Sequence, residues 1–169
     1  DPTACHPLRR GVSVRRRDRH APTDPLRRQF RKGNMSTVSQ MLDAYPKDLG
    51  GINEVSLVAC IEACQSCSQS CSACADSCLS EDSVSDLTRC VRTNLDCADL
   101  CEVTARVLSR HTGYDAKITR SVLETCAAMC KACGDECTKH AGHHEHCRVC
   151  ADACRRCEQA CRELIGSLG

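Results

Sequence analysis

Residues 60–78 read CIEACQSCSQSCSACADSC, and their six cysteines, Cys60, Cys64, Cys67, Cys71, Cys74 and Cys78, follow one another in alternating steps of four and three. That alternation holds a residue type on one stripe of an α-helix, where a helical bundle places its buried leucines. Thiols stand in their place here. The pattern returns at 126–137, CAAMCKACGDEC, and at 147–161, CRVCADACRRCEQAC, so that 18 of the chain's 19 cysteines lie between Cys60 and Cys161.

Composition points the same way. Leu, Ile, Val and Phe number 29 of 169 residues, below the roughly 20% under which a chain is suspected of disorder. A protonated thiol packs as a small hydrophobe and releases its proton to a metal. The cysteines can therefore supply the missing core and allow the metal-free chain to fold.

Working outward, the punctuation predicts four long helices: about Asn53 to Leu79 after Gly50 and Gly51, Ser83 to Arg110 with Ser83 and Asp86 resembling a capping box, Asp115 to Ala141 after Gly113, and His143 to Ile165 after Gly142. A short amphipathic helix, Ser36 to Tyr45, precedes them with Val38, Met41, Leu42 and Tyr45 on its apolar face. The short connections make neighbours antiparallel, so the predicted fold is all-α, an up-down-up-down four-helix bundle with a cysteine-lined core over residues 35–169.

The remaining seams continue the same step. One carries Leu87, Cys90, Asn94, Cys97, Cys101, Thr104 and Leu108, the next Cys126, Cys130, Cys133, Cys137 and His140, and the last His143, Cys147, Cys150, Cys154, Cys157, Cys161 and Leu164. Antiparallel packing gathers His140, His143, His144 and His146 with Glu81, Asp82 and Asp86 at one end, and Leu57, Leu108, Val122 and Leu164 at the other. This predicts a polar mouth and an apolar plug; the alternative is that the histidines solvate a tight turn. His140 and His143, which continue the seams by spacing, are the stronger candidate ligands. Asn94 and Thr104 are expected to fix register, bond locally or hydrogen-bond a thiolate, and Met129 to pack in the core.

The eight CxxxC pairs, such as Cys60 with Cys64, Cys97 with Cys101 and Cys157 with Cys161, place two thiols on one helix face with Cβ atoms about 5–6 Å apart. Soft thiolates select Cu(I), zinc or iron–sulfur clusters. Four thiolates around Zn(II) carry a net charge of −2, and a column of such sites buries uncompensated charge. Cu(I) exchanges one for one with thiol protons, accepts two or three ligands and leaves a near-neutral core when sulfurs bridge. Ferredoxin-type CxxCxxC loops with a following CP are absent. Thiols spaced on one helix fit disulfide geometry poorly, and the five CxxC pairs lie inside helical patterns rather than after a strand, unlike a redox motif. Nothing singles out one thiol as a nucleophile.

Residues 1–34 are a different material, with ten Lys/Arg against three Asp/Glu for a charge of +7, while the other 135 carry 13 against 19 for −6. Pro2, Pro7, Pro22, Pro25 and the run Arg15, Arg16, Arg17 predict a disordered basic leader. With only Phe30 to stack on a base, no nucleic-acid partner is expected. Met35 followed by Ser36 reads as a start of translation, which makes this segment a leader or an overlong start. No apolar h-region follows the arginine pairs Arg9–Arg10 and Arg27–Arg28, and no run approaches a membrane span. A cytoplasmic protein with reduced, metal-binding thiols is expected.

Together the three cysteine segments resemble the bacterial copper storage protein family over residues 36–169. The resemblance implies a four-helix bundle whose core thiolates bind Cu(I), roughly one ion per cysteine, with polar residues at one end admitting metal and a tetrameric assembly. It favours the family's cytosolic branch, since a twin-arginine export signal is lacking. The expected ligands are Cys60, Cys64, Cys67, Cys71, Cys74, Cys78, Cys90, Cys97, Cys101, Cys126, Cys130, Cys133, Cys137, Cys147, Cys150, Cys154, Cys157 and Cys161, with His140 and His143. A zinc-binding or cysteine-rich structural protein is the second reading, an enzyme the third.

Overall fold

The computed structural model describes residues 35–168, so the expectations for the basic leader and for Cys5 lie outside the described residues. Five helices follow in order: α1 Thr37–Asp43, α2 Glu54–Leu79, α3 Val84–Leu108, α4 Ala116–His140 and α5 Glu145–Ser167. No strand occurs among the described residues. Each long helix packs on its sequence neighbours, and α2 also packs on α5, which closes the ring of a four-helix bundle.

Local chemistry sets the boundaries. Asn53 caps α2, its Oδ1 accepting from the Ser56 amide at 2.9 Å. Asp115 caps α4 by accepting from Lys117 and Ile118 amides at 2.8 and 3.1 Å. The capping box expected at Ser83 does not form: its side chain makes no cap hydrogen bond, and its carbonyl accepts from the Asp86 amide at 2.9 Å in the first turn of α3. Serines and threonines on the exposed faces bond back to carbonyls one turn earlier, as Ser72 does to Ser68 and Thr93 to Arg89, which satisfies each hydroxyl within its own helix.

Packing follows the predicted seams, with two shifts at the ends. Leu57, Leu108 and Leu164 are buried as the plug, but its fourth member is Leu123 rather than the half-buried Val122. Both lie within one seam step of Cys126, and the helix phase decides between them. In α1, Leu42 is buried and Val38 packs on the core, whereas Met41 is 68% exposed. Seven residues make only two turns, too narrow a contact to cover the whole expected face.

α4 and α5 approach closely at Gly134, where a Cβ would lie 3.3 Å from the Cys154 Cβ. Beside it, Arg155 on α5 reaches Asp135 on α4 at 2.6 Å. No described helix is long and apolar enough to cross a membrane.

Candidate metal centre

All eighteen described cysteines are buried and none is in a disulfide. Because the helices alternate in direction, their stripes meet as a ladder of sulfurs along the bundle axis. From the plug upward, Cys60 faces Cys161 at 3.7 Å, Cys64 faces Cys157 at 3.6 Å, and Cys101 lies 3.8 Å from Cys126 and 3.5 Å from Cys130. Further on, Cys67 meets Cys154 at 3.8 Å, Cys71 meets Cys150 at 3.6 Å, and Cys90 meets Cys137 at 3.8 Å.

The donors fall into overlapping fours, each with all ligand atoms within 4.8 Å of one another. Cys67, Cys97, Cys101 and Cys130 form one set, Cys67, Cys71, Cys97 and Cys154 the next, and Cys71, Cys133, Cys150 and Cys154 a third. Cys67, Cys97, Cys71 and Cys154 each serve two sets. Sets that share sulfurs cannot all close as separate tetrahedral sites, since a ligand used twice must bridge. The arrangement suits a connected metal–thiolate array.

The thiols also set one another's acidity. A hydrogen bond from Cys101 holds the Cys126 thiol well below its ordinary range, and the same contact helps hold Cys101 protonated far above it. A thiolate inside the ladder is thus stabilised by neighbours that stay protonated until metal arrives. Where sulfur neighbours thin out, burial leads, and it pushes the Cys147 thiol up to about 12.

Asn94 is wholly buried within this ladder. Its Nδ2 donates to the Cys90 carbonyl at 2.9 Å and to Cys90, Cys137 and Cys74 Sγ at 3.3, 3.5 and 3.6 Å. Its Oδ1 accepts from the Cys150 and Cys133 thiols at 3.0 and 3.3 Å. Thr104, the other polar residue of that seam, bonds locally to the Leu100 carbonyl at 2.7 Å. Met129 is half-buried and packs against the core.

At the histidine end the placements differ from those expected. α5 starts at Glu145, with His144 as its cap residue, two residues later than the spacing suggested. His143 therefore falls in the turn and is exposed. His140 lies 3.5 Å from Glu136, a buried carboxylate that also holds Lys139 at 2.6 Å and Arg89 at 3.2 Å. Asp82 and Asp86 are exposed.

His146 is the histidine that meets the sulfurs: its Nδ1 lies 3.4 Å from Cys74 Sγ and 3.5 Å from Cys147 Sγ. Its Nε2 donates to Glu81 at 3.2 Å, and Glu81 accepts from His144 Nδ1 at 3.0 Å as well. These two imidazoles, His144 first, hold the Glu81 carboxyl below its usual range. The signal that could have found His146 is Glu145, since an acidic residue favours a helix's first turn and so marks where α5 begins.

Comparison with known proteins agrees with this geometry. A sequence profile described as copper storage protein matches residues 53–166. The copper storage protein Ccsp from Streptomyces lividans, solved loaded with 10 copper equivalents, is 63% identical, superposes with a TM-score of 0.78, and covers 78% of this chain and all of its own. Cu(I)-bound copper storage protein 3 of Bacillus subtilis is 37% identical at a TM-score of 0.57, covering 63% of this chain and 95% of its own. An uncharacterized cysteine-rich protein of Bacillus subtilis (strain 168), YhjQ, is 38% identical over 106 residues, 63% of this chain and 93% of that one. With a profile match over most of its length and a bundle core built of thiols, this chain belongs to the copper storage protein family.

Proposed function

We propose that this chain stores Cu(I) in the cytoplasm, holding roughly one ion per core cysteine through the thiolates of α2 to α5, and that it does so without catalysing a reaction. The observation that carries the reading is the sharing of sulfurs between adjacent donor sets. Cu(I) satisfies such sets with two or three bridging thiolates per ion and replaces one proton for each charge it brings. Zn(II) needs four ligands per site, and fully buried four-thiolate sites accumulate a charge of −2 each.

Metal is admitted at the histidine end. There the half-buried His146 and Glu81 connect water to the first sulfurs, Cys74 and Cys147, whereas Leu57, Leu123 and Leu164 close the other end with hydrocarbon. Assembly as a homotetramer follows the family resemblance, with copper ions as the stored partner and no role for nucleic acid or membrane.

X-ray absorption at the copper edge tests the coordination. Copper-loaded protein is expected to show shells of two or three sulfurs with short copper–copper vectors; isolated four-coordinate ions would contradict the proposal. Sedimentation equilibrium of the same sample tests the assembly, and a monomer at all concentrations would overturn it.

A further inference from the structure

The donor sets of the ladder are not all alike. Four sets along its length consist of four sulfurs each, but the set at the mouth is Cys74, Cys78, Cys147 and His146, again with all ligand atoms within 4.8 Å of one another. Three thiolates and one imidazole form a closed tetrahedral set of the kind that structural zinc sites use. The imidazole is already presented for it. Glu81 accepts from Nε2 at 3.2 Å, so the neutral ring's unprotonated Nδ1 faces the sulfurs, and a carboxylate behind a metal-bound histidine is the common arrangement in zinc sites.

Charge separates this set from the rest. Zn(II) with three thiolates and a neutral imidazole carries −1, compared with −2 for a four-sulfur set, and the surplus lies near water. His146 and Glu81 keep 21% and 36% of their side-chain surface exposed, so the imidazole side of the set reaches water although its three thiols are as enclosed as the other core sulfurs. An ion that prefers two or three ligands leaves part of this set unused. A tetrahedral divalent ion of borderline softness uses all of it.

We propose that Cys74, Cys78, Cys147 and His146 form a site for one divalent tetrahedral ion of the Zn(II) class, occupied while the column is empty of copper and vacated when Cu(I) displaces it. Binding releases the protons of the three thiols and involves no electron transfer. The site lies across the open end of the ladder, so its occupant stands between solvent and the deeper sulfurs. Glu81 acts as a positioning residue, through its hydrogen bond to His146.

The test is an anaerobic titration of the reduced, metal-free full chain with Co(II), whose spectrum reports tetrahedral thiolate ligation, followed by displacement with Zn(II). One equivalent is expected to bind ahead of any other, with sulfur-to-cobalt charge-transfer bands. Cys78→Ser should abolish this first equivalent. His146→Ala should change its ligand-field bands, and Glu81→Gln, which keeps the side chain's shape, should weaken it about 10- to 100-fold. Cys101→Ser, deep in the ladder, should leave it unchanged.

A first equivalent indifferent to His146→Ala, or lost in Cys101→Ser, or several equivalents binding together, would overturn the assignment. Copper storage is read separately by Cu(I) titration of the same preparation. A chain that takes one Co(II) at the mouth but little Cu(I) keeps this site and refutes storage, and the converse result refutes the site alone.

Discussion

Asn94 replaces a thiol in the α3 seam, yet it is as enclosed as the cysteines around it. Its amide is the hinge of the sulfur network: Nδ2 donates toward Cys90, Cys137 and Cys74, and Oδ1 accepts hydrogen bonds from the thiols of Cys133 and Cys150. Asn94→Ala leaves those thiols without their polar partner and opens a void, and is expected to lower the stability of the reduced, metal-free protein by about 1–3 kcal/mol in a denaturant titration. An unchanged midpoint would mean the network contributes nothing. That a polar residue would occupy this seam position was legible from the spacing. Its reach across to α2, α4 and α5 was not, because lateral contacts depend on helix phase, which spacing leaves open by one step.

His111 gives a second prediction at this scale. It packs edge-on against Tyr45, with ring centroids 5.3 Å apart, and lines a small cavity at the plug with Arg110 and Tyr114. Its Nε2 is buried without a hydrogen-bond partner, and burial lowers its pKa from the ordinary 6.5. Between that lowered value and 6.5 the unfolded chain holds a proton that the folded chain does not. Stability is therefore full above about pH 6.5 and falls as the pH drops through the ordinary imidazole range. His111→Gln should flatten the slope of melting temperature against pH in that window, and an unaltered slope would exclude His111 as its source.

Among the elements, α4 and α5 depend on the close approach at Gly134. A larger side chain there must push against the Cys154 Cβ, which cannot swing away, and displace the Arg155 guanidinium, which can. Gly134→Val is expected to cost about 1–3 kcal/mol by overpacking, read as a fall in melting temperature of the reduced protein; a neutral result would show that the two helices separate freely. The four long helices themselves were legible within two residues at every end, because thiols at bundle spacing leave few alternatives. The misses lie at the ends, where one turn decides the outcome. The late start of α5 moved His143 out and brought His146 in, and the phase of α4 chose Leu123 over Val122. Glu81 was placed at the right end, but its bridging of His144 and His146 depends on the turn after α2, which no periodicity describes.

Across the whole molecule, a chain poor in aliphatic residues folds around sulfur. The protonated thiols pack as core, and the ladder they form has one polar and one apolar end. Loading exchanges protons for metal without changing the net charge of the interior, so the bundle need not open as it fills. One proton should leave for each Cu(I) bound, measurable as base uptake in an anaerobic pH-stat; marked deviation from parity would mean that the core accumulates charge. The most direct test of the central claim is native mass spectrometry of the reduced chain titrated anaerobically with Cu(I). Sharing of sulfurs predicts saturation near the eighteen core thiols, through a broad distribution of many-ion species. Saturation at four or five ions per chain, the number that separate four-thiolate sites allow, would contradict it.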